Sequence, residues 1–265
     1  MSLTQPNRPA YDAIADWYAE WVDRESWAHP TLLRRLLPLT GDVSGSRVAD
    51  IGCGEGWFSR VLARAGATVV GIDISEAMLE RARARTDGGM AITYVRDDAQ
   101  VLGTIGDNEC DGAISMLALM DIPDLAATFR AIHRAVVHGG WLVIGITHPC
   151  FYGPQASWSD DERRTHRMVS TYLTEGRWVS TYAPGIRARV GAWHRTIGTY
   201  LNTAREAGWE METLLEPKNL THEGEVSPLG TEIPGLLLAR FRARPALESS
   251  SQPQRRDRPT PADPE

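Results

Sequence analysis

The chain has 265 residues, a net charge of −6 and 42% hydrophobic residues, which suits one α/β domain with room for an insertion. No apolar run reaches the ~18 residues of a membrane span. The one basic cluster, Arg255-Arg256-Asp257-Arg258, is too short and too interrupted for the electrostatic footprint of nucleic-acid binding. Three scattered cysteines, Cys53, Cys110 and Cys150, show neither a disulfide framework nor metal spacing. The expectations are a reducing, cytoplasmic setting, a small-molecule substrate, and no metal, membrane or nucleic-acid partner.

Residues 1–9 are polar and expected to be disordered. Apolar and aromatic residues then recur at helical spacing over 11–25: Tyr11, Ile14, Tyr18, Trp21 and Val22. Residues 29–39 read as a second helix, brought to an end by Pro38 and Gly41. From there strands and helices alternate. Strands are predicted at 47–51, 68–72, 92–95, 111–116 and 141–147. Helices are predicted at 57–65, at 76–85 behind the cap Ser75, and from Pro123 to 137. A Gly139-Gly140 turn leads into the fifth strand. Such alternation predicts a parallel sheet with helices on both faces.

The rhythm stops at His148-Pro149. Residues 148–193 are too long for a structureless loop and too aromatic for disorder. They carry Phe151, Tyr152, Trp158, Tyr172, Trp178, Tyr182 and Trp193. This insertion is expected both to wall a substrate pocket and to form a small subdomain core that caps the sheet edge. Helical spacing returns at 196–207. Two further strands, 209–216 and 236–244, are expected to pair antiparallel at the sheet edge. Residues 245–265 read as a solvated tail. One domain therefore spans 10–244, with residues 10–41 as a helical lid.

The most informative stretch is Val48-Ala49-Asp50-Ile51-Gly52-Cys53-Gly54-Glu55-Gly56. An apolar strand ends near an acid, three glycines follow at alternate positions, and a helix begins. A dinucleotide fingerprint needs glycine at position 57, which is Trp57. The pattern matches (D/E)-x-G-x-G-x-G and resembles the first motif of class I S-adenosylmethionine (SAM) dependent methyltransferases. Val69 to Ser75 resembles that family's second strand with its acid Asp73, and Arg96-Asp97-Asp98-Ala99 its acidic motif. Cys110 to Ser115 resembles its fourth strand. Val137-His138-Gly139-Gly140 resembles its L-x-P-G-G turn, with His138 in place of proline. His148-Pro149-Cys150-Phe151 is similar to a step found in a small-molecule subgroup.

The resemblance implies a Rossmann-like, doubly wound sheet of seven strands with an antiparallel edge strand, and SAM as cofactor. It implies that Gly52, Cys53, Gly54 and Gly56 cradle the amino-acid end, with Asp50 on the ammonium or an ordered water. Asp73 is then expected on the ribose hydroxyls, and Ile74 and Met78 on the adenine. Asp98, with Asp97 competing, and the Ala99 amide are expected on the adenine edge. Met116 and Leu117 would lie near the sulfonium, and Tyr11 and Tyr18 on the lid near the carboxylate. His148, and secondarily His194, are candidates for proton removal from an acceptor. Phe151, Tyr152, Trp158, Tyr172, Trp178 and Trp193 are the expected substrate contacts. The implied activity is SN2 methyl transfer to oxygen or nitrogen of a small molecule, expected to be a specialised metabolite, by a monomer or homodimer. The alternatives are a SAM-binding cyclase or isomerase of the same fold, an NAD-dependent oxidoreductase, and an RNA or protein methyltransferase.

Overall fold

The structure is a computed structural model that describes residues 9–25, 31–159, 166–181, 185–220, 225 and 232–245. The expectations for 1–8 and 246–265, for Tyr182, and for the charged run at 160–165 lie outside those residues. Strand β1 is Arg47–Ile51, followed by α3, Trp57–Arg64; β2 is Thr68–Asp73, followed by α4, Glu76–Ala84. Strands β3 (Ile92–Arg96) and β4 (Cys110–Met116) come next, then α5 (Leu125–Ala135) and β5 (Val136–Thr147). The chain closes with α7 (Ile197–Glu206), β10 (Trp209–Leu215) and β11 (Leu236–Ala243). Before the sheet stand a 3₁₀ turn, Ala10–Ala13, helix α1, Ala15–Glu25, and a widened π turn, Leu32–Leu36, running into α2, Leu37–Thr40.

The sheet order is β10-β11-β5-β4-β1-β2-β3. Strands β1 to β5 run parallel, while β11 is antiparallel to both β5 and β10. The antiparallel strand therefore sits one place in from the edge. Strand order reverses between β1 and β4, and the carboxyl ends there open a crevice of the kind that binds ligands in α/β sheets.

Alternation along each strand sends side chains to two cores. Ala49, Ile51, Val70, Ile72, Leu142, Ile144, Ile146 and Phe241 join Phe129, Ile132, Tyr200 and Trp209 on one face. Val48, Val69, Ile114, Val143 and Leu238 join Leu32, Leu36, Phe58 and Leu62 on the other. Helix starts follow the capping rule: the Ser75, Asp124 and Thr196 side chains accept amides from Met78, Ala127 and Thr199. Trp209 adds an indole hydrogen bond, Nε1 donating to the Phe129 carbonyl at 3.0 Å.

Two expectations need correction. Pro38 does not end the second helix; the helical run passes through it directly after the widened turn of Leu32–Leu36, and the chain leaves the helix at Gly41 with φ +71°. Gly139-Gly140 is not a turn ahead of the fifth strand. Strand β5 begins at Val136, which pairs with Cys110, and Trp141 pairs with Gly112, so residues 137–140 bulge within one long strand.

The insertion is not one loop. It forms the hairpins β6–β7 (Ser157–Trp158 with Arg167–Met168) and β8–β9 (Gly176–Trp178 with Ala192–His194), with α6, Ile186–Val190, before β9. No helix among the described residues is long and apolar enough to cross a membrane.

Phe129 is fully buried and packs against Phe241 at 6.5 Å between ring centroids. Phe129→Ala is expected to cost about 3–5 kcal/mol. Urea denaturation with an unchanged slope checks this; a loss below about 1 kcal/mol would place that face of the core elsewhere.

Candidate functional site

The three motif glycines all have left-handed φ, +70° at Gly52, +56° at Gly54 and +77° at Gly56. Their reasons for being glycine differ. A Cβ on Gly52 would sit 2.4 Å from the Ala118 Cβ, and one on Gly56 would sit 2.2 Å from the Tyr94 hydroxyl. Those two positions are closed by the protein's own packing. A Cβ on Gly54 would meet only the Met78 methyl, at 3.4 Å. Of the three, Gly54 at the tip of the loop is the one whose backbone the protein leaves open.

The loop is tied to β2. The Cys53 amide donates to the Ile72 carbonyl at 2.9 Å, and the Gly54 amide donates to Asp73 Oδ2 at 2.9 Å. Asp73 Oδ1 accepts the Ser75 amide at 2.9 Å. Asp50, 1% exposed at the end of β1, accepts the Ser59 hydroxyl at 2.6 Å. Burial pushes Asp50 up to about 7, against the Ser59 hydrogen bond and with help from Asp73. Burial likewise pushes Asp73 up to about 6, against its backbone hydrogen bonds. Neither carboxylate contacts a cationic side chain among the described residues. By contrast Glu55, 3% exposed in the same loop, is paired with Arg60 and Arg85, each at 3.0 Å. Glu55 was not singled out from the sequence; a buried acid at an unconstrained motif position leaves no pattern.

A short segment joins these acids to the lid. Asp12 accepts the Ser75 hydroxyl at 2.5 Å, and Asp16 pairs with Arg81 on α4. Tyr11 donates to Asp121 Oδ2 at 3.2 Å, and Arg187 of α6 holds the other oxygen. Arg189 lies over the Trp17 ring at 4.2 Å. Tyr11 and Tyr18 meet edge to face at 5.4 Å, and burial raises both phenols well above their ordinary value, so both stay neutral. The lid and the insertion therefore touch each other over the sheet ends. Asp121 and Arg187 escaped the sequence reading because 66 residues separate them.

Of the two acids in the third motif, Asp97 is consumed by its own turn. It accepts the amides of Asp98 and Thr104 and the Thr104 hydroxyl. Asp98 accepts only from Gln100 and precedes Ala99, as the G-D-A pattern implies. Ile74 is 48% exposed beside Asp73. Met78 is 1% exposed, and its methyl lies 3.4 Å from where a Gly54 Cβ would sit, so it packs beneath the loop tip. Met116 and Leu117 close β4, and Leu117 is a non-glycine residue at φ +56°, a strained exit from the strand.

His148 is 1% exposed. Its Nε2 donates to Glu216 Oε1 at 2.7 Å, and its Nδ1 accepts the Cys150 amide at 3.3 Å. The carboxylate partner assigns the proton to Nε2 and the lone pair to Nδ1. Burial holds this imidazole below its ordinary value, with Glu216 pulling the other way. His194, 4% exposed, donates Nε2 to the Tyr172 carbonyl at 2.8 Å and backs onto Gly153.

The six aromatics do not form one wall. Phe151 stacks on His148 at 4.6 Å, while Tyr152 and Trp158 surround Arg167. The Tyr172 hydroxyl accepts the Ile197 amide, Trp178 packs on the main core, and Trp193 lies 5.9 Å from Arg195. Arg195 in turn holds the carbonyls of Leu119, Ile122 and Pro123. Among the described residues no group of three or more His, Cys, Asp or Glu is placed to hold a metal.

The chain fits a cationic nucleoside: a backbone tip open at Gly54, flanked by the buried Asp50 and the half-buried Asp73, neither in contact with a cationic side chain among the described residues. Comparison with known proteins agrees. A sequence family described as a methyltransferase domain matches residues 49–144. A ubiquinone biosynthesis O-methyltransferase from Pseudomonas aeruginosa is 36% identical over 138 residues, 49% of this chain and 57% of that protein. One from Bordetella avium is 32% identical over 149 residues, 54% of this chain and 61% of that protein. The chain thus spans about three fifths of the length of these curated relatives. An S-adenosylmethionine dependent methyltransferase from Mesorhizobium loti superposes with a TM-score of 0.70 at 34% identity, covering 82% of this chain and 98% of that one. The chain belongs to the class I S-adenosylmethionine-dependent methyltransferases.

Proposed function

We propose that this protein transfers the methyl group of SAM to a hydroxyl of a small molecule. The observation that carries the reading is the open Gly54 tip between the unpaired acids Asp50 and Asp73. The relatives named for ubiquinone biosynthesis are O-methyltransferases, which supports oxygen rather than nitrogen as acceptor. A specialised metabolite remains the acceptor class we favour, on the strength of the aromatic insertion.

SAM supplies a methyl on a positively charged sulfur, so its transfer leaves a neutral thioether and demands little acid–base power. The protein's largest task is to position the acceptor, worth about 7–11 kcal/mol. Gly52, Cys53, Gly54 and Gly56 hold the amino-acid end in this reading, with Asp50 countering positive charge. Asp73 takes the ribose hydroxyls with the lone pairs its two amide donors leave. Ile74 covers the adenine, and Asp98 and the Ala99 amide meet its edge. Tyr11, Tyr18, Met116 and Leu117 close the space around the reacting centre and exclude water. Glu216 fixes the His148 tautomer with the proton on Nε2, so Nδ1 is the basic atom, and it takes the acceptor's proton only where the acceptor displaces the Cys150 amide that Nδ1 now accepts. His194 holds the insertion in place rather than moving protons.

Gly54→Val is expected to lower SAM affinity more than about 100-fold by covering the loop tip. Valine at φ +56° strains the loop even though the new side chain meets only Met78 at close range, so some stability is lost, and Gly54→Ala serves as the milder variant. Calorimetry and a thermal melt read the two effects, and undiminished affinity refutes the role of the tip.

SAM affinity should also depend on pH. The folded-state values of about 7 for Asp50 and about 6 for Asp73 lie above the ordinary carboxylate value. In the ligand-free protein these groups therefore contribute stability at low pH that is lost as pH rises through 6–7. A bound cation offsets that loss, so affinity should climb about tenfold between pH 5.5 and 8, equivalent to about 1.4 kcal/mol. Asp50→Asn should flatten the rise; a wild-type profile already flat in calorimetry contradicts the electrostatic reading.

His148→Ala should lower kcat by about 10²-fold while leaving SAM affinity within about twofold. Release of S-adenosylhomocysteine on turnover is the readout. Turnover without that release favours the cyclase or isomerase reading, and unchanged kcat removes His148 from the chemistry.

A further inference from the structure

The insertion is basic in an acidic protein. Residues 151–195 hold seven arginines against four acids, while the whole chain carries −6. Most of these arginines in the described structure are committed. Arg187 holds Asp121 and the Gly191 carbonyl, Arg195 holds three carbonyls, Arg177 bonds the Val190 carbonyl, and Arg189 lies exposed over Trp17. Arg167 differs. It is half-buried at the start of β7, and its Nε donates to the Phe151 carbonyl at 2.6 Å. Its guanidinium lies 4.7 Å from the Tyr152 ring centroid and 5.1 Å from that of Trp158. Among the described residues no acceptor meets its two terminal nitrogens.

That arrangement leaves one edge of the guanidinium for use. Two aromatic rings lie within 5.1 Å of its central carbon, Nε is anchored, and the remaining fork of N–H donors matches a carboxylate. Its position follows from the chain: Phe151, whose carbonyl anchors Arg167, stacks on His148 at the end of β5. Partial desolvation strengthens a charge-assisted pair at such a site. A single guanidinium, with no second cation beside it among the described residues, suits a monoanion better than a phosphate.

We propose that Arg167, held between Tyr152 and Trp158, binds a carboxylate on the acceptor, so that the substrate is an aromatic or similarly flat hydroxy acid. This rests on the methyl-transfer reading for the word acceptor, but its test needs no transfer. Binding to the protein loaded with S-adenosylhomocysteine is followed by tryptophan emission, which Trp158 makes sensitive to the site. The probes are benzoate, phenylacetate and 3,4-dihydroxybenzoate, each against its methyl ester, with phenyl phosphate as a separate arm.

At least one acid should bind about tenfold tighter than its ester. In Arg167→Met that preference should vanish, with the ester's affinity unchanged, and Arg167→Lys should retain part of it. A merely structural arginine would instead lower acid and ester equally. The proposal is overturned if no acid is preferred over its ester, if the preference survives in Arg167→Met, or if phenyl phosphate binds where every acid fails. Loss of S-adenosylhomocysteine binding itself is read separately by calorimetry and bears on the cofactor reading alone.

Discussion

The Asp73 carboxylate is the joint on which the site depends. One oxygen accepts the Gly54 amide, and the other accepts the Ser75 amide. A single side chain thereby fixes the tip of the glycine loop, the end of β2 and the start of α4. Ser75 passes the constraint on, since its hydroxyl caps α4 through Met78 and also reaches Asp12 on the N-terminal segment. Loop, strand, helix and lid are set by hydrogen bonds that share two residues. The cost is a desolvated carboxylate, and Asp50 nearby is fully buried, with no cationic side chain in contact with either among the described residues. Burying charge without a partner is unfavourable. A site that keeps two such groups is prepared for a positively charged guest, and it has neutralised its third acid, Glu55, with two arginines.

A second constraint closes the crevice from above. Asp121, on the turn after β4, is shared by Tyr11 from the lid side and Arg187 from the insertion side. Arg195 pins the same turn from below through three carbonyls. The residues around the exit of β4, including the strained Leu117, are therefore held by elements from both ends of the chain. This matters for a reaction governed by positioning, because the acceptor must be held in line while water is kept out. The surrounding fold tolerates more than one chemistry: the [4+2]-cyclase SpnF shares it with a TM-score of 0.62 at 18% identity. The fold by itself does not select the reaction; the residues in the crevice do.

The insertion divides its labour. Tyr172, Trp178 and Trp193 serve packing and hydrogen bonding against α7 and the core, whereas Phe151, Tyr152 and Trp158 gather near the end of β5 around His148 and Arg167. Composition marked the whole stretch as aromatic and compact. It carried no sign of which rings would face inward, since the stretch lacks the period of two or 3.6 that orients side chains in regular elements.

The sequence by itself determined the alternating sheet, the glycine loop and its acid partners, because these rest on local rules: strand alternation, helix caps, and glycine where φ is positive. The Asp50 to Gly56 motif was legible for the same reason, its turn geometry lying within seven residues. Tertiary structure alone decided which motif glycine is open and which two are closed by Ala118 and Tyr94. It also decided that Met78 belongs to the core, that Asp97 is spent on its own turn, and that Tyr11, Asp121 and Arg187 meet. Those outcomes depend on contacts between residues far apart in the chain, and no local spacing encodes a contact that only packing brings about.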